Sequence, residues 1–561
     1  VSLFALSKRL KAFKVLGVLL AFLIILPVLS LFGEVFEIFY QFLASFLGSF
    51  FTPDLTLNAT TNLNTENLTE ISTIKENLSH FFEFLFLRFI KDTFIVLFFT
   101  LLICFILGVG TAYLVANFNF YARTVLEKLL ILPLAIPAYI LAFVYVGIMD
   151  FGGVFESVFG FRIDLFNTAG VIFVLSFSLY PYVYLFAKTA FASEAKTPFE
   201  VGKICGYSEW QIFYKVSLRT AKVSIFAGLM LVLMETLSDY GASAYLGVDT
   251  FSAGIFKLWY DLSDIYSSSV LSAFLMLFVF ILMALEHRQK QQISFNQDTS
   301  QPLKRRNLSP AKALLASLFC ALISVLGFIL PFLWLLYWGF KDSKLFESDF
   351  YILSFHSLAL AFVVALITAV LAFILCFIAR INKSSQFSFW LLKTSSIGYA
   401  IPGAAIGVSL MIAAVFISNL LDTPLLGTSF SVLIFAYMVR FLATAIYAFE
   451  GGFSKIHSSL DEASLTLRKS FSNLAWRVHL PLLKPFFLLA FLVVFIDTIK
   501  ELPLTRMLAP FSFETLSTKA FWLASDERIY ECALPSLMIV LLSLLALFFT
   551  QGFLKERYAR N

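Results

Sequence analysis

Glu200-Val201-Gly202-x-x-x-Gly206, running on to Val216-Ser217-Leu218-Arg219, returns 262 positions later as Glu462-Ala463-Ser464-x-x-x-Arg468, running on to Val478-His479-Leu480-Pro481. In both copies 18 positions separate the glutamate from the leucine. Both are polar islands in a chain that is otherwise strongly apolar. A repeat of this kind fixes the architecture before any local reading, because two similar halves must present similar segments. Here each half exposes one amphipathic segment, and both segments face the same compartment.

The 561 residues are 60% hydrophobic and 14% charged. Soluble domains carry about 25% charged residues, so this composition indicates a polytopic membrane protein. The net charge of +5 needs no nucleic-acid partner, since basic residues on cytoplasmic loops account for it. Cys104, Cys205, Cys320, Cys376 and Cys532 are scattered, with neither metal-knuckle nor disulfide-framework spacing. They read as small apolar core residues. His80, His287, His356, His457 and His479 are isolated along the sequence and suggest no metal site.

About 20 apolar residues span the hydrocarbon core as a helix. Candidate spans are 15–33, 92–116, 129–149, 169–191, 222–243, 267–286, 312–338, 356–379, 391–417, 427–448, 484–504 and 534–554. The first follows Lys8-Arg9-x-Lys11-x-x-Lys14 and lacks a convincing signal-peptide cleavage site. Arg123, Lys128, Lys196, Lys203, Lys215, Arg219 and the basic linker residues all fall on the side of the N-terminus, as do Arg380, Lys383, Lys455, Arg468, Arg477 and the basic tail. The positive-inside bias therefore places both termini in the cytoplasm. Stretch 52–79, rich in Asn, Thr and Glu, reads as an external loop.

Residues 287–311 are polar and aperiodic, the mark of a linker. They divide the chain into a first half, 1–286, and a second half, 312–561, with cores at 90–285 and 355–555. Six spans per half give both halves the same orientation, hence parallel repeats. The fold class is an all-α polytopic membrane protein of about twelve transmembrane helices in two parallel six-helix repeats. Further matches support the repeat. Ala135-Ile136-Pro137-Ala138 aligns with Ala400-Ile401-Pro402-Gly403, and Glu235-Thr236 with Asp497-Thr498. Asp239 aligns with Glu501, Phe251 with Phe513, and Lys257 with Lys519. The two prolines either break or kink their helices.

Each island reads as a short amphipathic helix, a turn (Gly206-Tyr207-Ser208 in the first) and a second short helix. One such helix could simply lie on the membrane surface. Two copies at equivalent positions favour a shared function. Glu200 and Glu462 are expected near the helix starts, where a carboxylate favours the dipole. The acidic pairs Glu235/Asp239 and Asp497/Glu501 have i, i+4 spacing, which places each pair on one helix face. Intramembrane carboxylates usually face a bundle interior or a wet cavity. Oxygen ligands suit hard cations. The plainer alternative is that they pair with neighbouring groups such as Lys500 and Arg506.

The islands resemble the cytoplasmic Glu-Ala-Ala-x-x-x-Gly…Leu-Pro signature of permease subunits of bacterial ABC importers, of the type I layout. That resemblance implies a coupling helix seated in a separate ATPase subunit, with Glu200, Gly206 and Leu218 acting in the first half and Glu462, Ala463, Leu480 and Pro481 in the second. Val201-Gly202 in place of Ala-Ala, Arg219 in place of Pro, Ser464 in place of Ala and Arg468 in place of Gly depart from it. Glu235-Thr236-Leu237-Ser238-Asp239-Tyr240-Gly241-Ala242 and Asp497-Thr498-Ile499-Lys500-Glu501-Leu502-Pro503 resemble the fused permeases of the iron(III) branch. The resemblance implies two ATPase copies, a periplasmic solute-binding protein and residence in the bacterial inner membrane. It also implies ferric iron as cargo, with thiamine or phosphonate as alternatives.

The sequence shows no Gly-x-x-x-x-Gly-Lys-Ser/Thr nucleotide loop and no catalytic constellation. No cofactor or fixed metal is expected on this chain, and ATP is expected on a partner. A gradient-driven secondary transporter would explain the repeat but would not require the islands. A membrane enzyme would need clustered His, Asp or Ser at one face, which is not found.

Overall fold

The computed structural model describes residues 3–51, 74, 76–150, 152–192, 204–291, 305–341, 348–382, 385–422, 428–466 and 470–558. Twelve helices among them are long and apolar enough to cross a membrane. In the first half these are Phe13–Tyr40, Glu76–Asn117, Ala138–Phe159, Thr168–Ala192, Glu209–Ser238 and Ile265–Ala284. In the second half they are Pro310–Lys341, Phe350–Ile381, Gly403–Leu420, Phe430–Phe453, Phe471–Lys500 and Ile529–Phe549. They are called the first to twelfth spans. Without water to bind free N–H and C=O groups, an apolar run this long folds as a helix that satisfies its own backbone. Most of loop 52–79 and residues 292–304 of the linker lie outside the described residues. The end of the linker does not: Arg306–Asn307 pairs in parallel with Phe118–Asn119, just after the second span.

Several spans end or begin differently from the hydropathy reading, and in four of them the difference recurs in both halves. The third and ninth are broken at their prolines. A 3₁₀ turn, Leu132–Ala135, precedes an extended Ile136, and the helix restarts at Ala138. The ninth repeats this with Ile397–Ala400, an extended Ile401 and a restart at Gly403. The proline ring disfavours helical backbone in the residue before it, so a break rather than a kink results. The fifth and eleventh spans begin earlier than expected. The second short helix of each island is continuous with the span that follows it, through a π-helical turn at Phe213–Ser217 or Ala475–His479. These turns lie 262 positions apart, and each follows a serine cap. Ser208 Oγ accepts from Gln211 N at 3.3 Å, and Ser470 Oγ accepts from Asn473 N at 3.2 Å.

The two halves are not separate bodies. The first span packs against the ninth, and its helix Leu3–Phe51 also touches Ser385–Ser395. Ser30 Oγ donates to the carbonyl of Ser409 at 2.9 Å. Reciprocally, the seventh span lies on the first half. The Tyr145 hydroxyl donates to the Leu326 carbonyl, and Ser317 Oγ donates to Tyr121 O at 2.9 Å. The opening helix of each half is thus exchanged, and the sequence boundary at the linker divides no hydrophobic core. One continuous set of buried side chains, from Ala21 to Val540, runs through both halves.

The repeat register also needs one revision. Thr250 and Thr515 are the equivalent caps: each precedes a short helix, Phe251–Phe256 or Leu516–Ser525. The amides that follow them donate to hydroxyls from the second span of each half, Phe251 N to Thr93 Oγ1 at 2.9 Å and Leu516 N to Ser357 Oγ at 2.7 Å. Phe251 therefore corresponds to Leu516 rather than to Phe513, with three extra residues between Arg506 and Thr515. Lys257 and Lys519 nonetheless do the same work, pairing with Asp249 at 3.0 Å and Glu514 at 2.9 Å.

The exchanged seventh span gives a test. A Cβ on Gly147 would lie 2.5 Å from the Trp338 ring. Gly147→Leu should lower stability by about 2 kcal/mol through overpacking. Trp338→Ala in the same chain should restore part of the loss, as read by thermal melting in detergent.

Candidate transport chamber and coupling helices

The fifth helix stops at Ser238 and the eleventh at Lys500. Asp239 and Glu501, the next residues, are extended. The expectation that each acidic pair shares one helix face is therefore corrected. Glu235 and Asp497 lie in last helical turns, whereas Asp239 and Glu501 lie past the helix ends and cap the short helices that follow. Asp239 Oδ2 accepts from Ser243 N and Ser243 Oγ, both at 2.9 Å. Glu501 Oε2 accepts from Leu504 N at 3.0 Å and Thr505 N at 3.3 Å. A carboxylate satisfies the orphan amides of a helix start and suits the positive end of its dipole. This local use explains an acid at the same place in both halves.

All four carboxylates nevertheless line one cavity of about 200 Å³ between the halves. Its wall also includes the broken backbone at Leu134, Ile136 and Pro137, together with Tyr139, Tyr182, Tyr399, Arg440 and Lys500. Irregular backbone at membrane depth is tolerated where it lines such a cavity. Contacts across the cavity join the halves. The Tyr399 hydroxyl donates to Glu235 Oε1 at 3.1 Å, and Lys500 Nζ donates to the Leu134 carbonyl at 2.6 Å. Arg440 stands 3.6 Å from Glu501. A Cβ on Gly403 would come within 2.1 Å of the Arg440 guanidinium, so this glycine makes room for the arginine. Asp497 accepts no hydrogen bond among the described residues. The partners suggested by the sequence do not hold the acids directly: Lys500 binds a carbonyl, and Arg506 Nη1 donates to the Tyr240 hydroxyl at 2.5 Å.

The described residues cover less of the first island than of the second. Glu200 lies outside the described residues, as do Val201 and Gly202. Gly206 is exposed in left-handed backbone, φ 75°, which a Cβ would strain. Leu218 and Leu480 each follow the π-helical turn of their span, and Pro481 sits in the first turn of Leu480–Lys500. In the second island, Ser458–Thr466 is a nine-residue helix with Glu462 and Ala463 exposed. Glu462 is not at its start. Asp461 occupies the first turn instead, and it is tied down from two spans. Arg380 Nε donates to Asp461 Oδ2 at 2.8 Å, and His479 Nε2 lies 2.8 Å from Asp461 Oδ1. Arg380 also donates to the carbonyls of Phe453 and Ile456 at 2.8 and 2.9 Å.

Several of these residues escaped the sequence reading. Arg440 was legible in principle, as a lone arginine within an apolar span. Tyr139, Tyr182 and Tyr399 were hidden among 21 tyrosines and 69 phenylalanines. Arg380 and His479 looked like a loop charge and an isolated histidine. Among the described residues, no group of three or more His, Cys, Asp or Glu side chains is arranged to hold a metal ion.

Comparison with known proteins bears on the repeat and on the family. The family of binding-protein-dependent transport system inner membrane components matches twice, at residues 105–294 and 372–559. Both matches begin after the exchanged span of their half. The chain is 25% identical, over 445 residues, to an Fe(3+)-transport system permease protein of Haemophilus influenzae, covering 78% of this chain and 84% of the relative. It is 22% identical to a ferric transport system permease protein of Actinobacillus pleuropneumoniae, covering 67% of this chain and 55% of the relative. A sulfate transport system permease protein of Escherichia coli is 26% identical over 143 residues, 24% of this chain and 48% of the relative.

Arg440→Leu should leave the Glu501 carboxylate buried without its cation. Breaking a buried pair from one side costs about 3 kcal/mol. A melting curve of the purified variant should show the loss, and Arg440→Lys should show less of it.

Proposed function

Because this chain belongs to the family of binding-protein-dependent transport system inner membrane components, carrying its domain twice in one multi-pass permease, we propose that it imports ferric iron through the chamber between its halves. The observation that carries the proposal is the chamber wall. Four carboxylates face two cations, Arg440 and Lys500, with four tyrosines alongside. Such oxygen donors suit a hard cation. Acidic side chains outnumber basic ones in this wall, which leaves a phosphonate or sulfate dianion with few donors to meet it. The names of the Haemophilus and Actinobacillus relatives point the same way. Thiamine, an organic cation, is the alternative that charge alone does not disfavour.

In this proposal a solute-binding protein delivers the cargo from outside and both termini lie in the cytoplasm. A separate ATPase, in two copies, engages the two islands, with Glu200, Gly206, Leu218, Glu462, Ala463, Leu480 and Pro481 at or beside the contacts. The Arg380–Asp461–His479 anchor links the second island helix to the eighth and eleventh spans. A push on that helix would then reach the span that ends at Lys500, just before Glu501.

Two measurements test this. Cells carrying the chain with Glu235→Gln, Asp239→Asn, Asp497→Asn and Glu501→Gln should take up labelled ferric iron at least about tenfold more slowly, since each lost charged contact is worth about 1.5 kcal/mol or more. Normal uptake by that variant would show the carboxylates to be structural. Arg380→Leu with Asp461→Asn should leave the protein in the membrane while uncoupling ATP hydrolysis from uptake, read as ATPase activity that persists without accumulation of iron. Full coupling in that variant would remove the anchor from the account.

A further inference from the structure

Beside the chamber lies a second cavity of about 340 Å³, lined in part by Asp249, Lys257 and Asp261. Tyr240 belongs to the walls of both cavities. A third space of about 280 Å³ adjoins the second through Arg506, Phe521 and Ser525. The partition is therefore a small set of side chains. The Tyr240 ring is stacked on Phe256, with centroids 3.9 Å apart, and its other neighbour is Phe521 at 5.8 Å. Phe256 and Phe521 are equivalent residues of the two halves, each six positions after its capping threonine. Arg506 donates to the Tyr240 hydroxyl at 2.5 Å and lies over the Phe521 ring at 5.0 Å. Its own carbonyl accepts from the Tyr260 hydroxyl at 3.3 Å.

The two bonded residues are where the repeat is broken. The positions matching Tyr240 and Arg506 at the 262-residue offset are Leu502 and Ala244. Two like phenylalanines thus frame a Tyr–Arg pair built from unlike halves, one partner from each. A hydrogen bond that joins the halves across a partition must break when they separate. We propose that Tyr240 and Arg506, framed by Phe256 and Phe521, form the outer gate of the chamber, and that the guanidinium standing there keeps small cations out of the acid-lined space while the gate is shut. An arginine at a constriction is an electrostatic barrier to cations. The carboxylates behind it would otherwise attract sodium or potassium from outside.

This inference rests on the proposed transport path and on which side is external, but its test uses neither iron nor ATP, so its failure is distinct from a failure of the cargo assignment. Cys205 is exposed and would be replaced by serine, the other four cysteines being buried. Single cysteines would then be placed in the chamber, Ser238→Cys, and in the outer space, Ser525→Cys. Intact cells would be treated with an impermeant, cationic methanethiosulfonate reagent. The proposal expects Ser525→Cys to react fast in every background and Ser238→Cys to react slowly behind the intact gate. Tyr240→Ala with Arg506→Ala should raise the Ser238→Cys rate by about tenfold, the factor expected for one lost charged hydrogen bond. Fast labelling at Ser525→Cys in the same variant shows that the fold survives. Tyr240→Phe, which removes the hydroxyl alone, gives the same readout with a smaller rise. An unchanged Ser238→Cys rate beside fast Ser525→Cys labelling would overturn the gate, as would a Ser525→Cys site that does not react from outside.

Discussion

The cost of holding charge and broken backbone away from water organises the centre of this protein. Two spans are interrupted at Pro137 and Pro402, and two others end just before Asp239 and Glu501. Each interruption frees polar groups that hydrocarbon would not tolerate. The structure brings three of these interruptions to one cavity, together with Tyr399 from the 3₁₀ turn that precedes the fourth. Asp239 and Glu501 answer the free amides of the following helices. Lys500 answers the carbonyl of Leu134, which lies in the 3₁₀ turn before Pro137. The chamber is thus a consequence of where the helices stop, and its acidic character comes from residues that also cap.

On that shared framework the two halves are fitted differently. Both have the serine cap, the π-helical turn, the broken span and the hydroxyl that receives the amide after the capping threonine. Only the second contributes Arg440 to the chamber, and it uses Gly403 where the first half has Ala138. The Asp461 anchor uses His479, where the offset gives Ser217 in the first half. Tyr240 and Arg506 have Leu502 and Ala244 as counterparts. The repeated scaffold is thus shared, while the side chains that face the chamber and its neighbouring cavity differ between the halves.

Much of this was legible in the sequence, and the part that was not has identifiable physical causes. Apolar runs of membrane length located all twelve spans, and the recurring islands and Ile-Pro pairs revealed the parallel repeat. The four chamber carboxylates were picked out because charge in an apolar run is conspicuous. Their spacing misled, since i, i+4 implies one face only if the helix continues, and it ends at Ser238 and Lys500. Exchange of the first and seventh spans leaves no local trace, because a membrane helix is equally apolar whichever half it packs against. The offset of 262 was carried three residues too far beyond Glu501, where Phe513 resembles Phe251 but the capping threonine fixes a different register. Tyrosines and a buried histidine acquire meaning only from what stands opposite them.

The central claim is that the acid-lined space between the halves receives a hard trivalent cation. Terbium(III) luminescence sensitised by nearby tyrosine tests it directly on the purified protein, because Tyr182 and Tyr399 line the same space as Glu235 and Asp497. The account predicts sensitised emission that ferric iron displaces and that Glu235→Gln, Asp239→Asn, Asp497→Asn and Glu501→Gln together abolish. Emission that survives in the quadruple variant, or that ferric iron leaves unchanged, would contradict it.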